Sequence, residues 1–188
     1  MIDIENKRPT LQMKWAVLAK GGNGTRALVF TSAKKKVDSI DKVGSRSKNS
    51  IAVGDRLRLE LQSDMDGYLT LFDFGTSGRF TKLFPNPALS TVDNHIEAGK
   101  TYAAPGELLP IPDFMVSGPT TAESGRMERL LVIVTRNPVD LSESAVLGAG
   151  AAFATRGDFA AVEETVSSLF DIPEDEWTYG LLETEVVQ

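Results

Sequence analysis

Alternation of apolar and polar residues with a period of two is the feature that most constrains the fold of this chain. It is clearest at residues 56–62, where Leu57, Leu59 and Leu61 alternate with arginine, glutamate and glutamine. Successive side chains of a β-strand point to opposite faces, so this pattern predicts a strand with one buried and one solvated face. The chain is therefore expected to build its core from half-buried strands.

Further short apolar segments, each bounded by glycine, proline, asparagine or aspartate, predict additional strands. The segment at 128–135 is apolar on both faces in its middle, as in a strand that is buried on both sides. The predicted strands lie at 15–19, 27–31, 57–61, 68–74, 80–84, 94–98, 101–103, 114–116, 128–135 and 177–187.

Short turns between consecutive strands favour antiparallel pairing over βαβ units. The first two strands flank a glycine-rich turn at 21–24 and predict an N-terminal hairpin. The strands at 57–61, 68–74 and 80–84 are expected to form a meander, and a short reversal is expected at Gly99. We therefore predict an all-β fold with minor α, either an antiparallel β-sandwich or a barrel-like meander.

An amphipathic helix is predicted near the C-terminus, at 158–170, with Asp158 as its N-cap. The helix is expected to lay its apolar stripe on the sheets or on a partner protein. The stripe consists of Phe159, Val162, Val166 and Leu169. The Ala- and Gly-rich stretch at 148–152 fits either a tight helix contact or a linker, and both readings stay open.

The length of 188 residues suits one domain with a real core. Residues 1–12 are polar and interrupted by proline, which predicts a flexible tail, so the domain is expected to span 13–188. Within it, residues 141–188 are expected to form a helical and strand extension.

The absence of cysteine excludes disulfides, thiolate catalysis and cysteine-based metal sites. A single histidine, His95, removes sites built on histidine pairs. We therefore expect no enzyme activity and no cofactor. The longest apolar runs, such as 130–134, are too short to cross a bilayer, and charged residues interrupt the first ten positions. The expected location is the cytoplasm, without membrane contact.

Charge is unevenly distributed along the chain. Residues 1–58 contain thirteen basic and five acidic residues, a formal charge of +8, whereas residues 59–188 carry −14. This asymmetry fits a basic arm for an acidic partner, or two ends of one domain that attract each other. Nucleic acid is disfavoured, because no aromatic stacking platform lies between Phe30 and Tyr68.

The sequence from residue 51 to residue 140 resembles a known family. The resemblance rests on ordered blocks at 53–59, 63–72, 78–86, 93–96, 98–99, 128–130 and 136–138, with Gly78-Arg79-Phe80-Thr81-Lys82-Leu83-Phe84-Pro85-Asn86 as the central block. These blocks are similar to those of the bacterial domain-of-unknown-function family numbered 4384. The resemblance implies an all-β accessory module without established chemistry, often found beside caspase-like peptidase or protein kinase domains. It supplies no catalytic residues.

Three functional hypotheses follow. The first is a noncatalytic interaction or regulatory module whose partner is a protease, a kinase or another operon neighbour. The second is a substrate that a caspase-like or trypsin-like protease cleaves in the basic loop 33–50. The third is a small-ligand or metal-binding domain. Exposed edge strands would also permit a homo-oligomer.

The metal hypothesis rests on Asp64 and Asp66, which resemble the start of a calcium loop, with Asp73 and Asp93 as further oxygen donors. The twelfth position of such a loop is Gly75 where an EF-hand needs glutamate. Aspartate and glycine are also favoured in hairpin turns, so a turn is the preferred interpretation.

We predict that limited trypsin digestion of the native chain cuts first within 33–50. Exposed loops are preferred sites of nicking, and this one offers Lys34, Lys35, Lys36 and Arg46. Mass spectrometry of the first fragments tests this. First cuts elsewhere, with 33–50 intact, would contradict it.

Overall fold

The computed structural model describes residues 9–18, 25–32, 50–76, 80–86, 88, 92–118, 127–139, 141 and 172–187. These ranges contain eleven β-strands and no helix, which confirms the predicted all-β class. In chain order the strands are β1 (Leu11–Leu18), β2 (Thr25–Ser32), β3 (Ser50–Ala52), β4 (Arg56–Ser63), β5 (Gly67–Phe74), β6 (Phe80–Phe84), β7 (His95–Ile96), β8 (Thr101–Ala104), β9 (Phe114–Met115), β10 (Met127–Thr135) and β11 (Trp177–Val187).

The strands form two sheets. The first has the order β2-β1-β4-β8, with β9 also paired to β4. The second has the order β3-β11-β10-β5-β6, with β7 also paired to β5. Within the described ranges neither sheet closes on itself, so the barrel alternative is not supported. Pairing is antiparallel except between β11 and β3, which run parallel.

The predicted N-terminal hairpin is confirmed, because β1 and β2 pair from Leu11–Ser32 to Leu18–Thr25. The other edge of β1 pairs with β4 over its whole length. The strand begins at Leu11, inside the segment 1–12 that the sequence assigns to a tail. Leu11 is fully buried, since its side chain joins the core between the sheets.

The predicted meander is wrong at its first connection. β4 and β5 belong to different sheets, and the turn between them carries the chain across the core. Their apolar rows therefore face each other, with Leu59 and Leu61 on one side and Leu69 and Leu71 on the other. The second predicted connection is confirmed, because β5 and β6 pair as an antiparallel hairpin.

The short reversal predicted at Gly99 is confirmed as a turn, but the strands on either side of it do not pair with each other. β7 pairs with β5 in the second sheet, whereas β8 pairs with β4 in the first. Gly99 has a φ of +76°, a conformation that glycine adopts without steric cost. The turn is thus an arch that links the two sheets.

The strand patterns in the sequence predict a core of ten residues, and nine of these are confirmed as buried. Leu57, Leu59, Leu61, Leu69, Leu71, Phe72, Phe84, Leu131 and Ile133 are all buried. Leu83 is only partly buried, because β6 lies at an edge of its sheet. Rows from both sheets meet in one apolar cluster, and a Cβ on Gly180 of β11 would clash with the Met13 side chain of β1.

A second apolar cluster lies on the opposite face of the second sheet. It is made of Phe72, Leu131, Ile133, Leu141 and Trp177. β5 and β10 are therefore apolar on both faces, as their sequences predict, and β10 lies between β5 and β11.

The chain's last element is the strand β11, not a helix. The helix predicted at 158–170 and the Ala- and Gly-rich stretch at 148–152 lie outside the described residues, as does almost all of the basic loop 33–50.

We predict that Gly67→Ala destabilises the protein by about 1–3 kcal/mol, the usual range for overpacking. A Cβ at this position would lie 2.5 Å from the backbone oxygen of Thr135, which cannot rotate away. Urea unfolding measures the effect. Gly118→Ala is the matched control, because its nearest neighbour would be a Val53 methyl at 3.4 Å. Equal stabilities of the two variants would contradict this reading of the β5–β10 contact.

Candidate functional site

The two aspartates that resemble a calcium loop act as turn residues. The carboxylate of Asp64 accepts hydrogen bonds from the backbone N–H and the hydroxyl of Thr10, both at 2.7 Å. Asp66 accepts one from the backbone N–H of Ala98, also at 2.7 Å. The two carboxylates thus fasten the β4–β5 turn to two different segments.

The only histidine lies beside the same turn region and contacts an aromatic ring. Asp93 accepts a hydrogen bond from the backbone N–H of His95 at 3.2 Å. The exposed imidazole meets Tyr68 edge-on, with 5.2 Å between ring centroids. This arrangement fixes a short loop and holds the imidazole against the Tyr68 ring.

The remaining predicted site residues cannot be placed in the fold. Lys34, Lys35, Lys36 and Arg46 of the basic loop lie outside the described residues. The same holds for Phe159, Val162, Val166 and Leu169 of the predicted partner-binding helix face. Both sets stay predictions.

Two carboxyl groups, Asp73 and Glu128, come together between the sheets and are called the carboxyl pair here. Asp73 follows Leu69 and Leu71 along the inner face of β5. Glu128 precedes Leu130 on the inner face of β10, and Leu130 is the cross-strand partner of Asp73. Both acids therefore occupy the end of rows that are otherwise apolar.

Gly75 leaves space for the pair. A Cβ on this residue would lie 3.2 Å from Oδ2 of Asp73 and 3.2 and 3.4 Å from Oε1 and Oε2 of Glu128. Three carboxylate oxygens thus converge on one point that any side chain at position 75 would occupy.

Thr76 connects the carboxyl pair to the first sheet. Its backbone N–H donates to Oε2 of Glu128 at 3.2 Å, and its hydroxyl donates to the backbone oxygen of Ser117 at 3.0 Å. Thr76 itself is only 2% exposed, and both hydrogen bonds are partly buried. The segment after β9 is thereby tied to the position of Glu128.

The pKa of Asp73 is raised within the pair. Burial, then the negative charge of Glu128, then the hydrogen bond to Glu128 raise the pKa of Asp73 from 3.8 to about 8. In the described ranges, neither carboxyl forms an ion pair with a lysine, arginine or histidine. At neutral pH Asp73 is therefore mostly protonated and can act as a hydrogen-bond donor.

A third polar group, the buried hydroxyl of Thr184, lies on the inner face of the second sheet. Thr184 of β11 is the cross-strand partner of Glu128 and shares the inner face with Leu182. It is 1% exposed, and its Oγ1 has no hydrogen-bond partner. A buried hydroxyl without a partner costs free energy, so the position calls for a ligand or a functional reason.

Sequence reasoning named Asp73 as an oxygen donor but grouped it with Asp64, Asp66 and Asp93. It gave Glu128 no role beyond a family block. The sequence signal that could have pointed to the carboxyl pair was Asp73, an acid on the same face of an otherwise apolar strand as Leu69 and Leu71. Its partner is 55 positions away, and only the β5–β10 register brings the two together.

Three exposed apolar side chains, Val53, Met115 and Val187, lie on segments joined by backbone hydrogen bonds and are called the apolar patch here. Backbone hydrogen bonds link their segments: Val53 N–H donates to Val187, and Gly54 N–H donates to Val116, both at 2.9 Å. Their exposed fractions are 43%, 71% and 38%.

No group of three or more acidic, histidine or cysteine side chains suited to a metal occurs in the described part of the chain. A search of the same residues finds no helix that is both long and apolar enough to cross a membrane.

We predict that Asp73→Asn flattens the pH dependence of stability. Between pH 3.8 and about 8 the native state holds a proton that the unfolded chain releases, so wild-type stability falls as pH rises through this window. The amide keeps a donor but cannot titrate. Urea unfolding in metal-free buffer at pH 5, 7 and 9 measures the slopes. Asp93→Asn, an exposed carboxyl, should keep the wild-type slope, and an unchanged slope for Asp73→Asn would refute this role.

Comparison with known proteins gives one match. Residues 50–138 match the model of a family described as Domain of unknown function (DUF4384). No curated protein and no solved structure matches the chain. The matched segment runs from β3 to the end of β10 and includes both acids of the carboxyl pair as well as Val53 and Met115. The resemblance seen in the sequence blocks is thus confirmed by the family model over residues 50–138.

Proposed function

We propose that this chain is a noncatalytic protein-interaction or regulatory module of β-sandwich type. Its partner is a protease, a kinase or another signalling or defence protein in the cytoplasm. The observation that carries the proposal is the apolar patch. Three of the four large hydrophobic side chains exposed in the described ranges lie on segments that hydrogen-bond to one another.

The residues next to Met115 of the apolar patch are held in place by side-chain packing and backbone hydrogen bonds. Phe114 packs its ring edge-on against the buried Trp15, with 6.2 Å between centroids. Because neighbouring residues of a strand point to opposite sides, Met115 faces outward. Val116 both donates to Asp55 and accepts from Gly54, each at 2.9 Å. A patch held this way loses little conformational entropy when a partner binds.

Positive charge borders the patch. Arg56 is the cross-strand partner of Met115, and its side chain is 66% exposed. Asp113 lies 3.3 Å from Arg56 and 3.9 Å from Arg58, so a single carboxylate faces two guanidinium groups. The surface therefore suits a partner that offers apolar side chains together with an acidic group.

We expect Met115→Asp and Val53→Asp to reduce recovery of the partner at least tenfold. Each change places a charge at an interface that must be desolvated on binding. The tagged full-length chain and its variants are purified from the native host, and mass spectrometry compares the recovered proteins. Thermal unfolding verifies that each variant is folded.

Val92→Asp is the matched control, because Val92 is 45% exposed and lies outside the patch. It should recover the partner at the wild-type level. Equal recovery by Met115→Asp and wild type, or no stoichiometric partner for the wild type, would rule out the proposal.

A further inference from the structure

We propose that the outer face of the second sheet is a docking surface for the chain's own segment 142–171. The outer face is the one that points away from the first sheet, and 142–171 lies outside the described residues. The sequence leaves open whether the apolar stripe in this segment meets the sheets or a partner protein, and the proposal assigns it to the second sheet. The inference does not depend on the apolar patch or on its partner.

The outer face is apolar, and its centre is closed to water. Phe72 and Ile133 are fully buried on it, and Trp177 is 1% exposed. Side chains on a sheet face point away from the sheet, so neighbouring strands alone do not remove them from water. Their burial therefore requires a further layer of atoms on this face. The apolar side chains that β5, β10 and β11 contribute to it are Phe72, Leu131, Ile133, Trp177, Tyr179 and Leu181.

The described residues supply only one end of that layer. Three apolar side chains of the cluster come from outside the strands, and they belong to the segments that follow β10 and precede β11. They are Val139, Leu141 and Ile172. Leu131 lies four residues before the end of β10, about 13 Å along the strand, and is nevertheless only 5% exposed. The far part of the face thus has a cover that these three residues do not provide.

Both ends of the segment 142–171 start on this face. Leu141 is 1% exposed within the cluster, and Ile172 packs against the same cluster. The two flanking connections are also fixed to each other, because the backbone N–H of Arg136 donates to the backbone oxygen of Glu176 at 2.7 Å. A segment of 30 residues that is tethered at both ends has a high effective concentration at the surface between them.

The segment has the composition of a cover for an apolar face. Its apolar stripe recurs at intervals of three and four residues, so that one side of the segment is apolar. A stripe of this kind is stable in water only when it is covered, as is the sheet face. The large apolar residues of the segment are Val146, Leu147, Phe153, Phe159, Val162, Val166, Leu169 and Phe170.

The size of the face selects a single segment over another protein molecule. From Trp177 to Leu181 the strand advances four residues, about 13 Å, and three neighbouring strands are about 10 Å across. Beyond Leu181 the apolar area ends at an ion pair of Glu183 with Arg129, whose charged atoms are 2.6 Å apart. A specific interface buries about 800 Å² on each partner. The outer face is therefore too small for a second copy of the chain and fits one short segment.

Photo-cross-linking tests which segment covers the face. Tyr179→p-benzoylphenylalanine places a photoreactive ring at a half-buried position of the face in the full-length chain. Irradiation of a mixture of isotope-labelled and unlabelled chains, followed by mass spectrometry, separates links within one chain from links between chains. We expect links from position 179 to 142–171 of the same chain.

Met115→p-benzoylphenylalanine is the matched control, because Met115 is 71% exposed and belongs to the apolar patch. It should give no link to 142–171. Links from position 179 to a second chain, no link from it to 142–171, or the same links from both positions would overturn the proposal.

The emission of Trp177 gives a second test. The chain has two tryptophans, so Trp15→Phe leaves Trp177 as the only one. In that background Val162→Asp should shift the emission to longer wavelength and speed its quenching by acrylamide, because a charge in the apolar stripe opposes docking and admits water to the indole. Ser168→Asp places the same charge outside the stripe and should leave the emission unchanged.

Circular dichroism checks that both variants are folded, and the cross-link decides the proposal if Val162→Asp is not. An unchanged emission in folded Val162→Asp, or an equal shift in Ser168→Asp, would refute docking through the stripe. If Trp177 in the Trp15→Phe parent already emits like the urea-unfolded chain, the face is open and the proposal is wrong.

Discussion

The contact between the inner apolar rows of the two sheets is the interaction on which the rest of this structure depends. β1 and β4 contribute Met13, Trp15, Leu59 and Leu61 from one side, and β5, β10 and β11 contribute leucines and valines from the other. Neither sheet can bury these rows alone, so each sheet is stable only against its partner. The connections at 64–66 and 97–100 cross from one sheet to the other, so that the apolar rows of the two sheets face each other.

The carboxyl pair gains its properties from its place at the end of these rows. The same side-chain alternation that buries Leu69 and Leu71 turns Asp73 inward, and the alternation that buries Leu130 turns Glu128 toward it. Burial and the neighbouring Glu128 disfavour the charged form of Asp73, so this carboxyl keeps a proton at neutral pH. Thr76 donates one hydrogen bond to Glu128 and another to Ser117, and so links the carboxyl pair to a residue two positions beyond Met115 of the apolar patch.

Sequence reasoning was strongest where structure is local. The alternation at 56–62 predicted β4 and its inner leucines, and the apolar middle of 128–135 predicted a strand with two buried faces. The glycine turn at 21–24 predicted the β1–β2 hairpin. Sequence reasoning failed where strands that follow each other in the sequence do not pair. β4 and β5 are separated by three residues yet belong to different sheets, and the connecting residue Met65 is buried in the core between them.

The sequence by itself determined the class of fold, the faces of the strands and the resemblance of residues 50–138 to the family, since these depend on side-chain alternation, turn residues and ordered motifs. It contained every residue of the carboxyl pair and the apolar patch but did not group them. Asp73, Glu128 and Thr184 are far apart along the chain, as are Val53, Met115 and Val187. Only the registers of β5 with β10 and of β10 with β11 bring the polar groups together, and only the hydrogen bonds between segments of both sheets assemble the patch. Strand pairing over such distances is decided by packing of the whole core, which no local pattern specifies.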